Sequence, residues 1–377
     1  MNKGPIRRTL AVTVLVVGSA VVVALLLPSS SARHVRRAPG ATPAAARRES
    51  RDPAGRQRLG PRTLDQQRRS TAVVPAAVVS ELRRSLLAAE SAVASHYGRV
   101  EVAVEIGSGR PLLVGSDPGA PLRLWSLSKP VTAVTMLAHT RNQSVASEAH
   151  QMALYLSRAL RMSDNCAQRA LMLKVQAEVG GIRAARLALA HTISLAGGSV
   201  NTDVMQADDL GFQCITSTYT GIPRSEVSEP ALLAGTGTWT IADALKLAAG
   251  LRTGIFGSPG RVVSKYMAEP KLYGVEPGAD VTTNPNWGAG AAFPQACWQL
   301  AYKAGWGGAA SHIQWLATQI GSFSLRDFGF AAFAVAYQPY SQPANDDPRN
   351  ANAPEAFADV FSALRSALSE AHLSPCS

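Results

Sequence analysis

Residues 126–130 read Ser-Leu-Ser-Lys-Pro and open an apolar run that continues to about residue 140. This run predicts a helix that starts near Ser126, because proline is tolerated in the first turn of a helix but not in its interior. On such a helix Lys129 lies one turn after Ser126 and faces the same side. A serine hydroxyl becomes a good nucleophile when a neighbouring base takes its proton. The stretch therefore predicts a candidate nucleophile, Ser126, beside a candidate base, Lys129.

A polar triplet, Ser163-Asp164-Asn165, follows between two helical runs. Ser, Asp and Asn are favoured helix caps, so capping alone would explain the triplet. In a catalytic site, Ser163 would relay a proton to a leaving nitrogen. Asn165 would orient Lys129 or the substrate.

A second triplet, Lys303-Ala304-Gly305, falls at the end of a strand-like run. Backbone groups at such a place can pair with an extended substrate. Lys303 would attract a substrate carboxylate, and Gly305 would allow close approach of the backbone. Lys303 would also be a second cation able to lower the pKa of Lys129, which burial would lower as well.

Strand patterns lie at both ends of the chain, and helical patterns lie between them. Residues 99–106 alternate like a strand and turn into 111–115, which predicts a hairpin. Further strands are predicted at 297–306, 312–323 and 327–337. Helical spacing occurs at 74–97, 126–140, 146–162, 166–179, 182–196, 240–251 and 354–372. Residues 257–294 are rich in Gly, Pro and Asn and predict a loop with one short helix near Val262.

This order predicts an α/β fold of the α+β kind. An antiparallel sheet of about five strands would be built from both termini and flanked by the terminal helices. Residues 73–120 and 296–377 would form this part, and residues 121–295 a central all-helical lobe. The cleft between the two parts is a natural ligand site.

The charge of the chain is concentrated at its beginning. The formal net charge is +11, but residues 1–70 hold 14 of the 37 basic and 3 of the 26 acidic residues. From residue 71 onward the chain therefore has 23 of each, and a nucleic-acid role has no electrostatic basis. The chain as a whole has 46% hydrophobic residues, which is enough for a full core.

Residues 1–32 contain an uncharged apolar run, 10–27, after Arg7-Arg8 and before small residues. This predicts either a cleaved signal peptide or an uncleaved anchor, and the two arginines also resemble a weak twin-arginine signal. Residues 33–72 are rich in Arg, Ala and Pro and predict a disordered linker. A basic strip that holds the protein near anionic lipid or wall polymer is the alternative. Whether the apolar run is a cleaved signal peptide or an uncleaved anchor, the domain at 73–377 is predicted to lie outside the cytoplasm.

Four cysteines fall in the exported part: Cys166, Cys214, Cys297 and Cys376. They allow three full disulfide pairings. No Cys-x-x-Cys or His/Cys cluster indicates a metal, and we expect neither a metal nor a cofactor.

The three ordered elements, S-x-x-K, S-D-N and K-x-G, resemble those of the class A β-lactamase-like serine hydrolases. These belong to the wider group that includes the penicillin-binding DD-peptidases. The resemblance covers about residues 73–377. It implies acyl-enzyme chemistry, with Ser126 as nucleophile, Lys129 as part of its base and Ser163 in proton transfer. The Ser126 amide would form one half of an oxyanion hole.

The resemblance implies positioning roles for Asn165 and Lys303, and the chain departs from the family beside them. Ala304 stands where a hydroxyl would help Lys303 hold a substrate carboxylate. Losing one such contact to a charged partner costs about 1–3 kcal/mol, which weakens binding without abolishing serine chemistry.

A second departure concerns deacylation. The family's E-x-x-L-N loop supplies a glutamate that activates the deacylating water. Here Glu229-Pro230-Ala231-Leu232 comes close, but Leu233 replaces the asparagine. Glu226 is a second candidate, and both acids would equally fit an ordinary loop. Without a working base an acyl-enzyme would persist.

Three hypotheses follow. The first is an exported serine acyl hydrolase that forms an acyl-enzyme on Ser126, with β-lactamase-like chemistry and weak turnover. The second is a DD-peptidase-like penicillin-binding protein acting on peptidoglycan stem peptides, and the third a non-catalytic binding protein of the same fold. The expected partner is a β-lactam or a stem peptide. We expect a monomer that touches the membrane only through its N-terminal segment.

Overall fold

The computed structural model describes residues 74–107, 109–140, 146–208, 229–269, 287–308, 315–345 and 347–376. They belong to one compact unit, Arg62–Ser377. The predicted export segment and linker, 1–32 and 33–72, lie outside the described residues. In the described part, no helix has the length and apolar character that crossing a bilayer requires.

The helices of the described part lie at both ends of the chain and in its middle. They are α1 (Ala76–His96), α2 (Ser128–His139), α3 (Ala146–Arg161), α4 (Asn165–Val179), α5 (Ile182–Leu195), α6 (Ile241–Thr253), α7 (Gly257–Met267), α8 (Ala289–Ala292), α9 (Gln295–Trp298) and α10 (Ala353–Glu370). Helix α1 buries Leu82, Leu86, Ala89 and Val93, whose spacing of three or four residues forms one apolar face.

The strands form one large sheet and two small ribbons. They are β1 (Gly98–Ile106), β2 (Leu112–Val114), β3 (Leu122–Arg123), β4 (Ala207–Asp208), β5 (Ala231–Leu232), β6 (Thr238–Trp239), β7 (Ala301–Gly307), β8 (Leu316–Leu325) and β9 (Gly329–Pro339). The large sheet has the order β2-β1-β9-β8-β7, and its neighbours are antiparallel. Strand β1 pairs with β9 along its whole length, so the two ends of the domain meet in the centre of the sheet. The predicted fold class is confirmed.

Two hydrophobic cores lie on opposite faces of this sheet. On one face α1 and α10 pack together over Val102 and Phe333, and Phe357 of α10 belongs to the same core. On the other face α6 and α7 contact the sheet, and Leu245 of α6 and Ile320 of β8 belong to the core on that side. The sheet is therefore the middle layer between the terminal helices and the helical lobe.

Strand β7 is the edge strand beside the helical lobe, and its side chains alternate between the two faces. Lys303 and Gly305 pair with Ile320 and Thr318 on the helical-lobe face. Ala304 lies between them and packs against the core under the terminal helices. Of the three residues Lys303, Ala304 and Gly305, only Lys303 and Gly305 thus face the lobe that carries Ser126.

One expectation for the region 257–306 agrees with the structure, and another differs. The short helix predicted near Val262 is α7, whose eleven residues begin with Gly257, Ser258 and Pro259 in the first turn, where helices tolerate them. The strand predicted from 297 begins at Ala301 instead. Cys297 lies in the short helix α9, which ends at Gln299 in a left-handed conformation (φ 48°). The loop predicted over the rest of 257–294 lies partly in 270–286, outside the described residues.

A disulfide joins Cys297 to Cys376. It connects the segment that enters β7 to the chain after α10, across 79 residues. Cys166 is also disulfide-bonded. The Cys297–Cys376 pairing could not be assigned from the sequence, because four cysteines allow three pairings.

Replacing Cys297 and Cys376 together by serine is expected to lower the free energy of unfolding by about 2–4 kcal/mol, because the unfolded chain loses a long-range constraint. Denaturant unfolding measures the change. Each single substitution breaks the same bond and should cost about as much as the pair. An unchanged unfolding midpoint in all three variants would show that the bond does not brace the domain.

Candidate active site

Ser126 lies in a tight turn immediately before α2. Trp125–Leu127 forms one 3₁₀ turn, and the α-helix begins at Ser128. The predicted helix start was therefore wrong by two residues, although Lys129 still follows Ser126 by one turn. Trp125 adopts a positive φ of 43°, which is uncommon for a bulky residue and is typical of strained functional turns.

Two close packing contacts hold this turn against the edge of the sheet. A Cβ atom on Gly305 would lie 2.9 Å from the Ser126 amide nitrogen, so a glycine is needed for β7 to approach. A Cβ atom on Gly307 would lie 3.3 Å from the Trp125 ring. The approach leaves the Ser126 hydroxyl partly exposed beside β7.

Lys129 is 2% exposed and lies under the serine. Its Nζ donates to Ser126 Oγ at 2.6 Å and to Asn165 Oδ1 at 2.8 Å. Burial lowers the pKa of Lys129 to about 7, and the charge of Asp164 opposes this fall. The amine is therefore neutral in a large part of the molecules near neutral pH, as a general base must be.

The turn that carries Ser163 and Asn165 connects α3 to α4. Ser163 has a positive φ of 55°. Asp164 caps α4, because its Oδ1 accepts hydrogen bonds from the amides of Cys166 (2.8 Å) and Ala167 (3.1 Å). The cap explains why an aspartate occupies this position. It also holds the neighbouring residues Ser163 and Asn165 in place, and these contact Lys303 and Lys129 respectively.

Lys303 is the second buried amine of the site. Its Nζ donates to Ser163 Oγ at 2.8 Å and to the Ala304 carbonyl oxygen at 2.6 Å. Burial, and after it repulsion from the Lys129 charge, lowers the pKa of Lys303 well below its usual range. We expected Lys303 to lower the pKa of Lys129; burial is the main cause there, and the repulsion acts on Lys303.

Five predicted residues form two sets of hydrogen bonds. Lys129 bonds Ser126 and Asn165, and Lys303 bonds Ser163. Gly305 adjoins the turn through its backbone. Ala304 points away from Lys303, toward the core beneath the terminal helices.

In the described part, the Glu229 side chain takes no part in the hydrogen bonds of Lys129 and Lys303. Its side chain is exposed, and its carbonyl oxygen accepts a hydrogen bond from the buried Arg169 of α4. Gln176 of the same helix bonds the backbone of the next residues, at the Pro230 carbonyl and the Leu232 amide. Among the described residues, no hydrogen bond or ion pair joins the Glu229 carboxylate to the lysine pair. Glu226 lies outside the described residues.

Two further features of the site could not be read from the motifs. The Trp125 turn is one, because nothing in the apolar run marks its strained backbone. The other is the set of charges around Lys129. The charge of Asp164, at the start of α4, acts on Lys129, and Arg158 Nη1 lies 3.8 Å from Asp164 Oδ2. No group of His, Cys, Asp and Glu side chains in the described part has the arrangement of a metal site.

No protein-family model matches the chain, and no curated protein does. Among solved structures, the chain is similar to class A β-lactamases. A β-lactamase from Streptosporangium roseum is 16% identical, with a TM-score of 0.47, covering 78% of this chain and 100% of its own.

Two more solved structures show the same likeness. A β-lactamase from Burkholderia vietnamiensis is 17% identical, with a TM-score of 0.48, covering 79% of this chain and 98% of its own. A class A β-lactamase from Bacteroides cellulosilyticus is 12% identical, with a TM-score of 0.47 and coverages of 77% and 99%. In all three, fewer than one aligned residue in five is identical.

Proposed function

We propose that this protein is an exported serine acyl hydrolase that forms an acyl-enzyme on Ser126. The observation that supports this most is the contact of 2.6 Å between the Lys129 amine and the Ser126 hydroxyl. The amine is buried and its pKa is lowered to about 7, so it can accept the serine proton.

In the proposed acylation, Ser126 Oγ attacks the carbonyl carbon of a β-lactam or of a stem-peptide amide. The serine proton passes to the neutral Lys129 Nζ as the new C–O bond forms. The negative charge that develops on the carbonyl oxygen would be stabilised by the Ser126 amide, which the absence of a side chain on Gly305 keeps accessible.

The leaving nitrogen needs a proton before the C–N bond breaks. Ser163 is our candidate donor, and the Lys303 amine, at 2.8 Å from Ser163 Oγ, would replace the proton that it gives up. A β-lactam nitrogen stays attached after ring opening, whereas a peptide amine departs. Ser126 is left as an ester in both cases.

Lys303 and Lys129 also suit an anionic substrate. Two buried amines with lowered pKa values destabilise each other's charge, and a carboxylate bound beside Lys303 would relieve this repulsion. Ala304 adds no hydroxyl to such a contact. We therefore propose recognition of a carboxylate that is weaker than a hydroxyl at residue 304 would give.

We infer that hydrolysis of the ester is slow. The exposed Glu229 carboxylate is separated from the Lys129 network, and α4 holds the backbone around it through Arg169 and Gln176. A penicillin would then remain bound covalently for longer than in an efficient β-lactamase.

A fluorescent penicillin followed by a chase distinguishes the three hypotheses. Rapid turnover of nitrocefin with a short-lived label supports a β-lactamase. A long-lived label supports the DD-peptidase-like alternative or a slow hydrolase, which release of D-alanine from a stem peptide then separates. The absence of both label and turnover would leave the binding protein.

The rate of acylation is expected to rise with pH through about 7 and then level off. Below this value Lys129 is protonated, so the rate constant for labelling should fall about tenfold per pH unit. Labelling by the fluorescent penicillin between pH 5 and 9 measures the profile. A rate independent of pH across this range would contradict Lys129 as the base.

Glu229→Gln is expected to change the lifetime of the acyl-enzyme by less than about threefold, whereas a true general base contributes about 10²–10⁴. The chase after labelling measures the lifetime. Glu178→Gln, at an exposed acid of α4, is the matched control. A lifetime prolonged a hundredfold in Glu229→Gln alone would make Glu229 the base of hydrolysis.

The proposed location is outside the cytoplasm. The Cys297–Cys376 disulfide and the fold agree with this location. The apolar segment at 10–27 would deliver the domain, either as a cleaved signal or as an anchor. The peptidoglycan stem peptide is then the natural candidate substrate.

A further inference from the structure

Asp164 lies in the turn whose two neighbouring residues contact the two buried amines, and its charge acts on Lys129. It is 2% exposed and lies between Ser163 and Asn165, each of which bonds one of the two amines. Its Oδ1 is occupied by the cap of α4. The acid is therefore held rigidly in the turn that connects the two halves of the network.

The second oxygen of Asp164 is not used by this cap. Oδ2 is buried and has no hydrogen-bond partner among the residues that the structure describes. The Arg158 Nη1 atom approaches it at 3.8 Å, which is an ion-pair distance but too long for a hydrogen bond. Part of the carboxylate charge is thus left without a close counter-ion and acts on the surrounding groups.

Asp164 supplies the negative charge that acts on the Lys129 amine. Ser126 and Asn165 contact the amine as neutral partners. The charged groups around it are Lys303 on β7, Asp164 at the start of α4 and, behind Asp164, Arg158 of α3. Burial and the Asp164 charge therefore act on Lys129 in opposite directions.

We propose that Asp164, partly neutralised by Arg158, is a positioning residue that sets how readily the Lys129 amine gives up its proton. The inference rests on the proposed role of Lys129 as the base of acylation. In this arrangement Asp164 holds the pKa of the Lys129 amine above the value that burial alone would give, and Arg158 limits that effect. The charges of Asp164 and Arg158 thereby set the pH range in which Lys129 can take the proton of Ser126.

Asp164→Asn separates this electrostatic role from the cap, because asparagine caps helices as well as aspartate does. The pKa of Lys129 is measured in the full-length protein by ¹³Cε-lysine NMR, with the resonance assigned by its loss in Lys129→Arg. Removal of the negative charge should lower the midpoint by about one pH unit. The pH profile of labelling by the fluorescent penicillin should move by the same amount.

Arg158→Gln should move both midpoints in the opposite direction, because it removes a positive charge and leaves Asp164 uncompensated. The shift should be smaller than in Asp164→Asn, since Arg158 is partly exposed. Arg161→Gln is the matched control: it removes the same charge from the same helix end, where Arg161 pairs with Glu269 instead.

A Lys129 midpoint that stays within about 0.2 pH units in both variants would overturn the inference, and so would shifts of the same sign. A merely structural role of Asp164 would lower the amplitude of labelling or the stability without moving the midpoint. If the NMR midpoints shift in opposite directions while no variant, nor the unaltered protein, is labelled, the electrostatic role stands and acylation at Ser126 fails.

Discussion

Ser126→Ala is expected to abolish covalent labelling by a fluorescent penicillin and any turnover of nitrocefin. Its hydroxyl is the one that the Lys129 amine contacts, at 2.6 Å, and it is partly exposed at the edge of β7. Alanine removes the atom that would form the ester, so the expected loss is complete rather than partial. Gel fluorescence after labelling, at a tenfold excess of the probe over the protein, measures it.

Ser95→Ala is the matched control for this loss. Ser95 is an exposed hydroxyl near the end of α1 and bonds only its own helix and the neighbouring His96. Its replacement should leave labelling unchanged. Persistent labelling of Ser126→Ala would assign the nucleophile to another side chain, and circular dichroism shows whether the variant is folded.

Lys129→Ala is expected to slow acylation by about 10²–10⁴, the usual contribution of a general base. The remaining rate should lose the rise through pH 7, because the group that titrates there is gone. Lys129→Arg should be equally slow across this range, since a guanidinium stays protonated. Both variants are measured by the rate of labelling between pH 5 and 9.

Lys174 provides the control for these two substitutions. It is an exposed lysine of α4, in the same lobe, and takes no part in the site. Lys174→Ala and Lys174→Arg should label at the rate of the unaltered protein. A Lys129→Ala variant that retains both the rate and the pH dependence would transfer the role of base to another group.

The sequence predicts the fold well where its periodicity is strong. The spacing of Leu82, Leu86 and Val93 indicates the buried face of α1, and the alternation after Gly98 indicates the central strand β1. The split of the sheet between the two ends of the chain also follows from element order. These features depend on local patterns that the tertiary structure does not override.

The remaining differences have local physical causes. The 3₁₀ turn at Ser126 depends on the packing of Trp125 against Gly307, a contact between residues far apart in sequence. The strand predicted from 297 begins at Ala301, after α9 ends at Gln299 in a left-handed conformation. A tertiary contact bears on the first case and local backbone geometry on the second, and neither is visible to periodicity.

The site was predictable as a set of residues but not as a set of charges. The order of the motifs predicts that Ser126, Lys129, Asn165 and Lys303 lie in one site. In the fold, hydrogen bonds join Lys129 to Ser126 and Asn165, and a separate hydrogen bond joins Lys303 to Ser163. The lowered pKa values come from burial, which depends on every element packed around the amines. The sequence could not place Glu229 relative to this network, because loop direction depends on the contacts that Arg169 and Gln176 make.

The central claim is that Ser126 becomes acylated, and the mass of the intact protein tests it most directly. After incubation with benzylpenicillin, the mass should increase by one molecule of penicillin, and peptide mapping should locate the adduct on the peptide that contains Ser126. The increase should be absent in Ser126→Ala. An unchanged mass at saturating benzylpenicillin, or an adduct on another residue, would contradict the account.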